Sequence, residues 1–215
     1  MIPVFETVLV EDRRIRLRDL HLARLARSGA PPERVIEAGR CFDNAVAIEA
    51  KPFVLRVDVD DNGVRTTTRA PRPADPVDLP IDRSYDPTLA IRLLKIADRG
   101  WVEEIEHAAG SEALLISADE LVGESTRASV IVVMSDGTIA VPRLRGILAG
   151  VTREWAVAEA AAEERDLLLV DLLAARGAAL LTAGRGVVMI ATIDRQPIAI
   201  DPLLAALSAT WRALP

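Results

Sequence analysis

The chain has 215 residues, half of them hydrophobic, with a mean hydropathy of +0.23, which is apolar mass enough for one generous domain or two small ones without disulfide or metal staples. Aromatic residues make up only 3% and the net charge is −6, with 13 basic and 13 acidic side chains in residues 1–80 and 13 and 19 in residues 81–215. There is therefore no basic stripe and few rings to stack on bases, so a nucleic-acid partner is not expected. Cys41 is the one cysteine and His21 and His107 the only histidines, which excludes an internal disulfide and the usual structural zinc cage. With no apolar run of roughly 18 residues and no N-terminal targeting pattern, a cytoplasmic protein without membrane contact is expected.

Residues 2–10 are apolar and rich in β-branched side chains, and Glu11-Asp12-Arg13 reads as a hairpin turn into Arg14–Leu17. Asp19 is the expected N-cap of a short helix to Arg27, closed by Gly29-Ala30-Pro31-Pro32, and a second helix is expected from about Pro32 to Ala50. Phe53–Asp60 and Val64–Arg69 read as strands around the Asn62-Gly63 hairpin signal. Residues 70–87 carry Pro71, Pro73, Pro76, Pro80 and Pro87, which disfavours helix and central strand alike and predicts an extended connector. A boundary near residue 83 then divides the chain into domains 1–83 and 84–215.

The second half predicts a helix at 98–109 and strands at 112–118, 121–124 and 129–134, with a turn at Ser135-Asp136-Gly137. A Gly-bearing loop at 145–151 leads into a helix at 152–164. Strand 166–170, helix 171–176, strands 178–182 and 187–193 and a terminal helix from about 202 follow.

Lys95 is one of two lysines among 26 basic residues, the other being Lys51. A guanidinium keeps its proton near neutral pH whereas an amine can be tuned into a nucleophile or base, so an isolated lysine in Leu94-Lys95-Ile96-Ala97 suggests Schiff-base chemistry. A snorkelling or strand-edge lysine explains the same residue. Arg24 follows His21 by three positions, on the same helix face, where a guanidinium can clamp a phosphate or simply be solvated. Gly146–Gly150 precede Val151 and Thr152 at a predicted helix start, where free backbone N–H groups and the helix dipole favour an anion, or where Thr152 merely caps. Glu124 ends a predicted strand, either as an edge charge or as a carboxylate that keeps a heterocyclic nitrogen protonated. The turn Thr182-Ala183-Gly184-Arg185-Gly186 offers further backbone donors, with Arg185 either solvated or placed for a substrate carboxylate.

Lysine, phosphate clamp, carboxylate and glycine loop together are the parts a pyridoxal-phosphate enzyme requires. In order along the chain, Phe5-Glu6-Thr7, His21-Leu22-Ala23-Arg24-Leu25, Lys95-Ile96-Ala97-Asp98-Arg99, Glu124, and Leu144-Arg145-Gly146-Ile147-Leu148-Ala149-Gly150-Val151-Thr152-Arg153 resemble the motifs of the class IV, fold-type IV pyridoxal-phosphate enzymes. That family includes branched-chain and D-amino-acid aminotransferases and 4-amino-4-deoxychorismate lyases. Ser129-Val130-Ile131 and Ala183-Gly184 depart from its usual residues, and the chain opens close to F-E-T, where the family usually has a preceding strand.

The resemblance implies a mixed α/β (α+β) fold with a small N-terminal domain and a larger C-terminal domain of pseudo-barrel form, a homodimer, and pyridoxal 5′-phosphate in the cleft between the domains. It implies Lys95 as the catalytic lysine and Arg24, Glu124, Val151, Thr152, Ala183 and Gly184 as cofactor contacts. The compact length and the lysine segment look most like the aminodeoxychorismate lyases, which form 4-aminobenzoate and pyruvate for folate synthesis. A transaminase of D- or branched-chain amino acids and a catalytically silent relative are the alternatives.

Overall fold

In a computed structural model of the chain, residues 1–48 and 51–215 are described. Strand β1 (Val4–Glu11) turns through Asp12 and Arg13, both at positive φ (51° and 58°), into the short β2 (Arg14–Ile15), as the two-residue hairpin geometry demands. Helix α1 (Arg18–Arg27) is entered through Leu17 at φ 55°, so Leu17 and not Asp19 is its N-cap. The reversal out of β2 takes up the capping position, and Asp19 instead places its charge in the first turn, against the positive helix end.

Helix α2 (Pro32–Ala47) has proline in its first turn, where no N–H is needed. It ends before Ala50, and the last expected positions, 49 and 50, lie outside the described residues. Strands β3 (Phe53–Asp60) and β4 (Gly63–Arg69) complete an antiparallel sheet in the order β2-β1-β3-β4.

The register of this sheet sorts its two faces. Val4, Glu6 and Val8 stand opposite Val59, Val57 and Leu55, and the apolar members of this set pack with Leu25, Ala38 and Phe42 of the helices into one core. The other face carries Phe5 opposite Asp58, Thr7 opposite Arg56, and Arg69 opposite Val54. This second face is turned towards the rest of the chain.

The proline-rich stretch is not an unpaired connector. Its residues Val77–Leu79 (β5) and Ile81–Asp82 (β6) form parallel pairs with strands far along the chain, and Leu79 joins the large core of the C-terminal half. Pro76 and Pro80 flank these short strands, where a missing donor does not break the pairing. A 3-10 turn (Ala90–Leu93) and helix α3 (Gly100–Ala109) follow. Next come β7 (Leu114–Ile116), β8 (Val122–Ser125), β9 (Ser129–Val133) and β10 (Ile139–Pro142).

Helix α4 (Val151–Glu159) stops short of residue 164, because Ala161 takes φ 47° and the chain turns into β11 (Glu163–Arg165), parallel to β10. That strand displaces the one expected at 166–170, and α5 (Leu169–Leu173) begins earlier than position 171. Strands β12 (Gly177–Thr182), β13 (Gly186–Ile193) and β14 (Gln196–Pro197) lead to α6 (Pro202–Ala213), which Asp201 caps by accepting from the Leu203 N–H at 2.8 Å.

The larger sheet runs β11-β10-β9-β12-β13-β14, with β5 also on β13, beside a three-stranded sheet β6-β7-β8. Its central strands are buried on both faces: Val130, Val132 and Leu180 enter one core, and Ile131, Val133 and Leu181 enter another with Trp155 of α4 and Trp211 of α6. Such two-sided burial explains why β9 reads as an unbroken apolar run. The two halves are tied at the lysine segment, where the Phe5 N–H donates to the Lys95 carbonyl at 3.0 Å and the Ala97 N–H to the Pro3 carbonyl at 2.8 Å. No helix among the described residues is long and apolar enough to cross a membrane.

Candidate active site

A cavity of about 480 Å³ opens between the Phe5/Thr7/Arg56/Arg69 face of the small sheet, the lysine segment, the end of β8, the loop before α4 and the turn between β12 and β13. Lys95, Arg24, Glu124, Val151, Thr152, Ala183 and Gly184, the residues singled out from the sequence, all line it. That volume is within the range of small-ligand sites.

Lys95 is fixed by its backbone, whose N–H donates to Ser28 Oγ at 3.0 Å, while its Nζ lies 4.7 Å from the centre of the Phe5 ring. Burial, and then the positive charges of Arg24 and Arg99, lower the amine to about 7 against the opposing pull of Glu6 and Glu124. An amine so placed is substantially neutral near pH 7 and is both nucleophilic and able to accept a proton.

Glu124 is buried at the end of β8. Gly123 before it lets the Tyr85 ring lie against the strand, since a Cβ there would stand 3.0 Å from that ring. Burial raises the Glu124 carboxyl to about 7, opposed by Arg99, by the Leu148 N–H 3.4 Å from both oxygens, and by Lys95. Its proton affinity is therefore close to that of the lysine in the same cavity.

Arg24 is anchored from outside the cavity. Its Nε donates to Glu6 Oε1 at 2.7 Å and its Nη2 to Glu6 Oε2 at 2.8 Å, and His21 Nδ1 lies 2.6 Å from the same Oε2. Glu6 is 0%, His21 1% and Arg24 5% exposed. Burial alone would raise the Glu6 carboxyl, but the charges and hydrogen bonds of Arg24 and His21 hold it well below the usual carboxylate range. Burial keeps His21 below its ordinary value although Glu6 opposes this, so the imidazole is neutral and donates Nδ1–H to the carboxylate. The three-residue spacing of His21 and Arg24 brings both to one strand residue.

At the start of α4 no side chain caps the helix: the N-cap is Gly150, where a Cβ would meet Ser129 Oγ at 2.9 Å. The first-turn N–H groups lack helical acceptors by construction, and Thr152 Oγ1 is buried with no hydrogen-bond partner among the described residues. A buried uncapped helix start with an orphan hydroxyl fits a phosphate. With the near-neutral Lys95 amine for an aldehyde and the Glu124 carboxyl for a ring nitrogen, the donor set fits pyridoxal phosphate.

Two features of the site escaped the sequence reading. Glu6 was visible only as part of a motif and not as the partner of Arg24; a lone carboxylate in an apolar strand was the available signal. The arginines Arg56, Arg69, Arg72, Arg92 and Arg127 also line the cavity, and no motif marks them. Arg185 does line the cavity, but its Nη2 donates to Glu112 Oε2 at 2.7 Å and Ser125 holds the other Glu112 oxygen at 2.6 Å, so its charge is already neutralised.

Among curated proteins none matches the sequence. Solved structures match over nearly the whole chain. A hypothetical aminotransferase from Mycobacterium tuberculosis in a PLP-bound form gives a TM-score of 0.82 at 21% identity, over 98% of this chain and 88% of that one. A branched-chain amino acid aminotransferase assigned as putative in Thermotoga maritima gives 0.84 at 21% identity, over 98% and 85%. The 4-amino-4-deoxychorismate lyase from Pseudomonas aeruginosa gives 0.77 at 24% identity, over 98% and 90%. At these identities the likeness is one of fold, the mixed α/β fold-type IV architecture. In sequence, the amino-transferase class IV family matches residues 85–193, a span that holds Lys95, Glu124, the α4 start and the β12–β13 turn; with over half of the sequence matched and the fold shared, the chain belongs to the class IV aminotransferase family.

Proposed function

We propose that the chain is a pyridoxal-phosphate-dependent aminodeoxychorismate lyase, which releases pyruvate from 4-amino-4-deoxychorismate and leaves 4-aminobenzoate. The observation that carries the cofactor assignment is the convergence of a near-neutral Lys95 amine, the Glu124 carboxyl and the orphan Thr152 hydroxyl on one cavity. Arg24, Thr152 and the backbone of Val151, Ala183 and Gly184 would hold the phosphate, Lys95 the aldehyde carbon and Glu124 the ring nitrogen. When bound, the cofactor supplies an electron sink for the carbon that loses its proton.

The protein's own part is proton handling and exclusion of water. Lys95, with its proton affinity lowered to about 7 by burial, takes a proton from the substrate carbon and returns one. Burial raises the Glu124 carboxyl to about 7, so its proton would pass to a heterocyclic nitrogen placed beside it, and the carboxylate left behind would be the partner of the resulting cation. Glu6 fixes the guanidinium of Arg24 in one orientation, and Phe5 closes one side of the amine.

The lyase is favoured over a transaminase by the resemblance of the lysine segment Lys95-Ile96-Ala97-Asp98-Arg99 to that branch. A transaminase is the second reading, because aminotransferases share the fold with TM-scores of 0.82 and 0.84 against 0.77 for the lyase. The same proposal includes a homodimer and a division into two domains expected at 1–83 and 84–215, with Val77–Leu79 and Ile81–Asp82 reaching across that boundary to pair with C-terminal strands. The test is incubation of the loaded enzyme with aminodeoxychorismate, following pyruvate and 4-aminobenzoate, beside incubation with amino-acid and keto-acid pairs. Pyruvate release without amino transfer supports the lyase; amino transfer without pyruvate release supports the transaminase.

A further inference from the structure

Beyond Arg24, which Glu6 holds, seven arginines line one cavity in a protein of net charge −6: Arg56, Arg69, Arg72, Arg92, Arg99, Arg127 and Arg185. Three of them are spoken for. Arg56 pairs with Asp58 at 2.6 Å, Arg185 with Glu112 at 2.7 Å, and Arg127 with Glu106. Arg99 donates to the Thr126 carbonyl and is attracted by the charge of Glu124.

Arg92 stacks 4.3 Å from the centre of the Trp101 ring, whereas among the described residues Arg69 and Arg72 have neither an aromatic ring under them nor a carboxylate within ion-pair distance, and the one side-chain bond of Arg69 is to its neighbour Ala70 at 3.2 Å. Arg69 stands on the cavity face of β4, diagonal to Arg56 in the register. Its pKa is lowered by partial desolvation and then by the charges of Arg72, Arg127 and Arg185, so these cations repel one another across one wall, a repulsion that Glu106 and Glu112 offset at Arg127 and Arg185 and that no carboxylate among the described residues offsets at Arg69 and Arg72. Such a wall is unfavourable until an anion enters it.

We propose that Arg69 and Arg72 form a carboxylate-recognition subsite for a substrate that carries two carboxylates. Because the lone amine and the buried helix start serve the cofactor, the inference rests on reading this cavity as the substrate site. A guanidinium and a carboxylate pair through two parallel hydrogen bonds and cancel one charge each, so two free guanidiniums match a dianion and exceed what one carboxylate neutralises. The two arginines belong to the end of β4 and the proline-rich stretch after it, which lie outside the matched span 85–193. Selection between substrates is thereby placed on a different segment from Lys95, Glu124 and the α4 start.

The test is titration calorimetry of the purified wild type with isophthalate and with benzoate, two rings differing by one carboxylate, repeated on Arg69→Ala/Arg72→Ala. Both side chains are exposed, so the double variant is expected to keep its melting temperature; the single Arg72→Gln is the second variant should it not fold. Isophthalate is expected to bind roughly tenfold more tightly than benzoate to the wild type, a charge-assisted preference that weakens with salt and vanishes in the double variant. Equal binding of the two acids, or a preference that survives the substitutions, overturns the proposal. Cofactor uptake is scored separately by absorbance. A preference for isophthalate in protein that takes up no pyridoxal phosphate sinks the cofactor reading and leaves the subsite standing, and uptake without the preference does the reverse.

Discussion

Replacing Glu6 by Gln removes a single negative charge from a place that water does not reach. Its carboxylate accepts three hydrogen bonds, two from Arg24 and one from His21, with distances of 2.6–2.8 Å. A glutamine amide has only one oxygen, so at least one of these donors comes to face an N–H, and the Arg24 charge is left buried without its counter-ion. Breaking a buried pair from one side costs on the order of 3–5 kcal/mol. For a chain of this size that is a fall in melting temperature of about 10 °C.

The pH dependence has a definite sign. The Glu6 carboxyl is held below its unfolded value and the His21 imidazole is held below its own. The native state therefore binds fewer protons than the unfolded chain, and stability rises with pH. His21 contributes stability that is present above an unfolded value of about 6.5 and lost as pH falls below it; Glu6 contributes stability lost below about 4.3. Thermal melts of wild type, Glu6→Gln, Arg24→Gln and the double variant at pH 8 and pH 5 measure both effects. The single variants are expected to cost several kcal/mol each and the double much less than their sum. Additive costs, or a Glu6→Gln loss under about 1 kcal/mol, would refute the reasoning.

Two further substitutions probe the fold and the helix start. Gly186→Ala puts a Cβ 2.2 Å from Trp211 Cδ1 at φ +79°, combining left-handed strain with overpacking, and is expected to lose about 3 kcal/mol in denaturant melts. Gly184→Ala, with its nearest neighbour Val54 Cγ2 at 3.7 Å, should leave stability unchanged. Thr152→Val removes a buried hydroxyl that has no partner, so the cofactor-free protein should be as stable or up to about 1 kcal/mol more stable. Fluorescence titration should show its affinity for pyridoxal phosphate falling roughly tenfold. Lost stability with unchanged affinity would place that hydroxyl in the fold and not in a phosphate site.

The sequence disclosed what is local. The hairpin at Asn62-Gly63, proline at the start of α2 and the glycine loop before α4 carry their geometry in their own residues, and the motif residues converge on one cavity. What it hid depends on partners far along the chain. Val77–Leu79 and Ile81–Asp82 look like connector because of their prolines, and become strands only through parallel pairing with β13 and β7. The alanines at 160–162 favour helix, yet Ala161 turns left-handed and Glu163–Arg165 pairs with β10, a case of tertiary contact overriding propensity. Leu17 in place of Asp19 at the cap of α1 follows from the reversal out of β2. The partnership of Glu6, His21 and Arg24 needs β1 laid against α1, which no periodicity announces, and the arginine wall draws on β3, β4 and three loops at once.

The central claim is that Lys95 is the amine that takes the cofactor, and the chain makes it simple to test because Lys51 is its only other lysine. Purified wild type and Lys95→Ala are mixed with pyridoxal phosphate, scanned by absorbance, reduced with borohydride, digested and mapped by mass spectrometry. The account predicts an absorbance band in the wild type that is absent from the variant, and a single pyridoxyl group on the peptide containing Lys95. A wild type without a reducible adduct, or an adduct on Lys51, would contradict it.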